Sequence, residues 1–147
     1  MRVTTWAEYG LIVALHLARR RESGTLPARD VAESEGLPTD YVEQILLKLR
    51  RAGLVTSTRG AHGGYLLARE PADITVRDVV EAAENHTFEV NCDVRPIDPA
   101  RCSPESSCSI RPVWRALQHR INHLLNSVSL AELLREEVEV EQLVTLR

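Results

Sequence analysis

Between Pro27 and Ala68 the helix breakers and the apolar residues follow one another in an order that few folds accommodate. Pro27 can open a short helix through Val31 and Ala32, and Gly36 can close it, because a residue just past a helix end often takes the left-handed conformation. Leu37-Pro38-Thr39-Asp40 then starts a second helix, Tyr41 to Ala52. Its apolar residues Val42, Ile45, Leu46 and Leu49 recur at three- and four-residue intervals, and Gly53 stops it. Leu54-Val55-Thr56-Ser57 reads as a strand, residues 58–64 as a turn with three glycines, and Tyr65-Leu66-Leu67-Ala68 as the returning strand. Two short helices across a glycine turn make a helix-turn-helix, and a hairpin directly behind the second helix makes it a winged one. The glycines let the wing pass close to a sugar-phosphate backbone. Arg59 projects from its rim, where it suits the negative potential of a narrow minor groove. A solvated hairpin with a turn arginine is the plainer alternative.

The flanking segments supply a core. Thr5-Trp6-Ala7-Glu8 has the form of a capping box, and Ala7, Leu11, Ala14, Leu15 and Ala18 behind it recur at helical spacing, with His16 as a packed or half-exposed side chain rather than a ligand. Thr75-Val76-Arg77-Asp78 offers another cap, followed by Val79, Val80, Ala82 and Ala83, a fourth helix that closes the winged domain. From about Ser109 the pattern is helical again, with Pro112 tolerable only in the first turn. Val113, Leu117, Ile121, Leu124 and Val128 make a stripe that needs a partner, and a second copy in a two-fold dimer is the simplest. His119 and His123, four apart on this helix, read as surface residues. Ser129-Leu130-Ala131-Glu132 starts one more short helix, and the acidic tail from Glu136 carries no reading.

The expected fold is therefore mainly α with a small β-hairpin wing, a winged helix-turn-helix plus a long dimerisation helix. The expected division is a DNA-binding winged domain over 1–85, a cysteine-bearing loop over 86–108, the dimerisation helix over 109–128, and a short helix and tail over 129–147 packing on the winged domain.

All three cysteines, Cys92, Cys102 and Cys108, fall in one stretch dense in Pro, Ser and Asp, with the spacing C-x9-C-x5-C. Core cysteines belong inside apolar helices or strands rather than between prolines. An odd number of cysteines disfavours a disulfide framework, and nothing at the start of the sequence has the apolar core of a secretory signal. Thiolates are soft ligands, so the loop suits a metal or an iron-sulfur cluster, which needs a fourth ligand. Three alternatives stay open: free surface thiols, a structural zinc site that adds His86, and a metal-free thiol switch.

Eighteen Lys plus Arg against 21 Asp plus Glu, a net charge of -3, argues against a nonspecific polycation. The positive balance lies in the N-terminal half, where residues 1–66 carry nine basic and seven acidic side chains. No apolar run reaches the roughly 18 residues of a membrane span, which places the protein in the cytoplasm. No nucleophile-base pair or phosphate loop suggests an enzyme or an electron carrier.

Taken together, Met1-Arg-Val-Thr, Tyr41-Val42-Glu43-Gln44-Ile45-Leu46, the wing from Val55 to Leu67, the three cysteines and the segment Leu124 to Leu133 resemble the Rrf family of bacterial winged-helix regulators, of the IscR, NsrR and RirA type. The resemblance covers nearly the whole chain. It implies a homodimeric repressor on double-stranded DNA with a palindromic operator, its affinity controlled by a 2Fe-2S or 4Fe-4S cluster that senses iron, redox state or nitric oxide. It implies that Tyr41, Glu43 and Gln44 face DNA and that Arg59 enters the minor groove. A glutamate accepts from a cytosine amino group, while Lys48, Arg50 and Arg51 would contact phosphate. Where some members carry a ligating histidine three residues after the last cysteine, this chain has Arg111. Members of the actinobacterial nitric-oxide-sensing kind take a carboxylate from the first helix of the other subunit instead, and Glu8 stands at that position. The implied ligand set is Cys92, Cys102 and Cys108 of one protomer with Glu8 of the other.

Overall fold

The structure, a computed structural model, describes residues 3–85 and 88–146. His86, the alternative zinc ligand, lies outside the described residues.

Helix α1 (Thr5–Arg19) buries Ala7, Gly10, Val13, Ala14, Leu17 and Ala18 on one face. Its cap is Thr4 and not Thr5, which corrects the capping box expected from the sequence. Thr4 has the extended backbone an N-cap requires and its hydroxyl accepts from the Ala7 amide at 3.3 Å, whereas Thr5 is already helical. The Thr4 hydroxyl also contacts the Glu84 carboxylate, which ties the start of α1 to the end of α4 (Val76–Glu84). The Glu8 side chain is left exposed and free of a capping role.

Helix α2 (Ala28–Glu35) ends at Gly36 in the left-handed conformation, as the sequence suggests. His16 Nδ1 lies 2.6 Å from Glu35 Oε1 and joins α1 to α2. Helix α3 (Thr39–Arg51) buries Val42, Ile45, Leu46 and Leu49 completely. Strands β1 (Val55–Thr58) and β2 (Gly64–Leu67) pair antiparallel, with Val55 opposite Leu67 and Thr58 opposite Gly64.

The wing also has a third edge. Leu26 and Tyr65 exchange backbone hydrogen bonds of 2.9 and 2.8 Å, so the connection before α2 runs beside β2. Gly64 makes this possible, because a Cβ there would fall 2.5 Å from the Leu26 carbonyl carbon.

Thr75 and Asp78 form the reciprocal capping box expected at α4. The chain then passes through a single turn, α5 (Asn91–Val94), and the cysteine loop to α6 (Arg111–Ser127), which has proline in its first turn. A bridge between Thr75 and Ser129 returns the chain to the winged domain, where α7 (Leu130–Leu133) inserts Leu130 into the core. The tail, which gave no reading as sequence, is a helix, α8 (Glu137–Thr145), started by a box between Glu136 and Glu139.

Val13, Leu17, Val31, Val42, Ile45, Leu46, Leu49, Ile74, Val79 and Leu130 make one continuous core. Each buried side chain of this size contributes roughly 1.5–3 kcal/mol. By contrast, α6 has no buried residue.

Candidate functional site

With about 3.6 residues per turn, the buried stripe of α3 fixes what its other side presents. Glu43, Gln44, Leu47 and Arg51 lie opposite that stripe. Glu43, Gln44 and Arg51 are exposed and Leu47 is half-buried. Leu47 was not picked out by the sequence reading, because an apolar residue inside an amphipathic helix is taken for core; its place one turn past Glu43 and Gln44 is the signal that finds it.

Tyr41 and Lys48 flank the outer face on the α1 side. The Tyr41 ring centroid stands 5.0 Å from that of Trp6 and 5.8 Å, edge-on, from that of Tyr9. Lys48 Nζ lies 3.9 Å from the centre of the Trp6 ring and donates to the Ala83 carbonyl at 2.6 Å. Arg50 flanks the other side and donates to Ser57 Oγ of β1 at 2.9 Å, which fastens α3 to the wing. Arg59 is exposed at the wing tip, and the Thr25 hydroxyl donates to the His62 carbonyl at 2.9 Å to steady that turn. The structure thus places Glu43, Gln44, Arg50, Arg51 and Arg59 on exposed positions of α3 and the hairpin, and gives Lys48 two partners within the fold.

The cysteines are free and half-buried. Cys92 lies on α5, Cys102 in the loop, and Cys108 just before α6. Among the described residues no three His, Cys, Asp or Glu side chains are grouped as a metal would require. The backbone N–H of Arg111 and then that of Ile110 hold the Cys108 thiol below its usual value, with the charges of Arg111 and Arg101 adding to the effect. Those amides open α6, whose first turn lacks an acidic residue and whose Ile110 supplies no side-chain cap. The donors fit an iron-sulfur cluster in kind, as three free thiols, but one chain alone does not gather them. Glu8 sits on the exposed side of α1.

Arg111 has its own task. Its guanidinium donates to the carbonyls of Ser103 at 2.8 Å, Ser106 at 3.4 Å and Pro104 at 3.5 Å, and to Ser106 Oγ at 3.1 Å.

The family described as "Rrf2: Iron-dependent Transcriptional regulator" matches residues 3–136. The chain belongs to the Rrf2 family. The transcriptional regulator IscR of Vibrio atlanticus is 34% identical over 141 residues, which is 96% of this chain and 79% of that protein. The solved structure of T. potens IscR superposes with a TM-score of 0.71 at 34% identity, covering 91% of this chain and 86% of that one. CymR, the global cysteine regulator of B. subtilis, superposes with a TM-score of 0.70 at 31% identity, covering 90% and 95%. This Rrf2-family protein is accordingly a DNA-binding transcriptional regulator built on a winged helix, and its relatives are regulators rather than enzymes. Among the described residues no helix is long and apolar enough to cross a membrane.

Proposed function

We infer that the protein is a cytoplasmic, homodimeric repressor whose affinity for a palindromic operator is set by an iron-sulfur cluster. The observation that carries this reading is the company the three thiols keep. They are free and only half-buried, and they lie between a winged domain and a helix that buries none of its own residues.

Cys92, Cys102 and Cys108 of one protomer would hold the cluster with Glu8 from a second copy. When bound, it supplies a redox-responsive centre with one hard oxygen donor, which binds less firmly than a fourth thiolate. The protein's own part is geometric. Joining the loop of one copy to α1 of the other fixes the spacing of two α3 helices against successive major grooves. Each state then has its own affinity for the operator.

On DNA, Glu43 and Gln44 read base edges and Tyr41 adds its exposed edge. Leu47 gives an apolar contact of the kind that suits a thymine methyl. Arg50 and Arg51 meet phosphate, with a smaller share for Lys48, which has partners within the fold. Arg59 enters the minor groove.

Anaerobic purification followed by absorption, iron and sulfide analysis tests the reading, with operator binding measured before and after cluster loss. A brown or red dimer whose operator affinity changes on loss supports it. Glu8→Ala should keep the fold and lose iron faster than the parent. A colourless protein under argon would sink the cluster reading.

A metal-free thiol switch is the second reading, favoured by the ungathered cysteines, with the Cys108 thiol held below its usual value by the Arg111 and Ile110 amides. It predicts a change in operator affinity on peroxide treatment that dithiothreitol reverses, in protein without iron.

A further inference from the structure

The cysteine region is fastened to α6 by two arginines four residues apart, a spacing that puts both on one face of the helix. Arg111 reaches back over the loop with the four hydrogen bonds described above. Arg115 pairs with Asp93 at 2.9 Å, and Asp93 is the neighbour of Cys92 on α5. The first arginine frames Cys102 and Cys108; the second holds the turn that carries Cys92.

The loop is also closed from within. Asp98 Oδ1 accepts from the amides of Ala100 at 2.9 Å and Arg101 at 3.3 Å, and the Cys102 amide donates to the Asp98 carbonyl at 2.8 Å. The Ser106 hydroxyl stands 2.6 Å from the Arg101 carbonyl and 2.8 Å from that of Ser103. Two of the carbonyls Arg111 grips, those of Ser103 and Ser106, belong to the same small knot. A planar guanidinium with five fixed donors can serve several carbonyls at once; an ammonium or an amide serves fewer.

We propose that Arg111 is the positioning residue of the sensing loop: its guanidinium keeps the segment carrying Cys102 and Cys108 folded against α6. This rests on the reading of the loop as the sensing site and gives it a further property. The residue in the position of a possible fourth ligand serves the site through backbone carbonyls.

The test compares the parent with Arg111→Lys and Arg111→Gln, all as full-length protein. In iron-free, reduced protein, limited proteolysis within residues 98–108 reports how often the loop opens. Cleavage should rise at least about tenfold in Arg111→Gln and less in Arg111→Lys, since cleavage tracks the population of the open form. Thermal unfolding of the winged domain should stay within a few degrees of the parent in both. In anaerobically reconstituted protein, transfer of iron to a chelator should quicken in the same order, with an altered visible spectrum in Arg111→Gln. Equal cleavage in all three proteins, or a visible spectrum and chelator rate unmoved in Arg111→Gln, would overturn the proposal. A colourless parent refutes the cluster reading alone, because proteolysis of iron-free protein still reports whether Arg111 orders the loop.

Discussion

Helices α3 and α6 are both amphipathic and similar in length, 13 and 17 residues, yet their apolar stripes meet opposite ends. Val42, Ile45, Leu46 and Leu49 of α3 are wholly enclosed by α1, α2, α4 and the hairpin. On α6, Val113 is 62% exposed, Trp114 42% and Leu124 40%. Helix α6 packs along α4, Gln118 donates to the Phe88 carbonyl of the preceding segment at 3.2 Å and, among the described residues, Asn122 Oδ1 is buried without a hydrogen-bond partner. The first stripe is satisfied by its own chain and positions a reading surface. The second is covered in part by its own chain, which half-buries Leu117 and Ile121 and buries Val128, while Val113, Trp114 and Leu124 stay in solvent as the area that the proposed dimer would cover.

The contrast can be broken most forcefully at the core. Leu46→Ala should lower the unfolding free energy by about 2–5 kcal/mol, read as a shifted urea midpoint. A loss under about 1 kcal/mol would mean that the α3 stripe is less enclosed than Leu46 indicates. Next in size, Val113→Glu combined with Leu124→Glu should produce a monomer by sedimentation while circular dichroism keeps the helical signal. Each site gives up roughly 1.5–3 kcal/mol of burial in a dimer, and a variant that still sediments as a dimer would exclude α6 as the interface. The smallest expected effect lies at the start of α1. Thr4→Ala should cost about 1 kcal/mol and Thr5→Ala only a few tenths, a difference that thermal denaturation resolves; the reverse order would restore the capping assignment drawn from the sequence.

That last pair shows where the sequence stops being legible. Adjacent threonines offer equivalent hydroxyls, and what decides between them is Glu84 at the far end of α4, eighty residues away. Helix ends marked by local chemistry were readable: Pro27 and Gly36 around α2, and the boxes at Thr75 and Ser129. The α8 helix was not, because Glu137-Val138-Glu139-Val140 alternates with the period of a strand, while the cap that starts it is made by two glutamates. Nor was the Leu26 edge of the wing, since a two-residue pairing leaves no periodic trace. At the candidate site, the cysteines and the exposed positions on α3 could be found from composition and spacing. The grip of Arg111 on three carbonyls could not, because main-chain oxygens are the same in every sequence and only the folded loop turns them toward one side chain.

Trp6 lies beside Tyr41 at one end of α3 and beneath Lys48 two turns later. A ring clasped at both points leaves the two helices little freedom to slide or roll independently. They therefore behave as one stiff lever, and Glu8 is two residues from the pivot. In the proposed dimer, a pull on that carboxylate would arrive at the operator as a tilt of the whole reading surface, with no need for any element to melt.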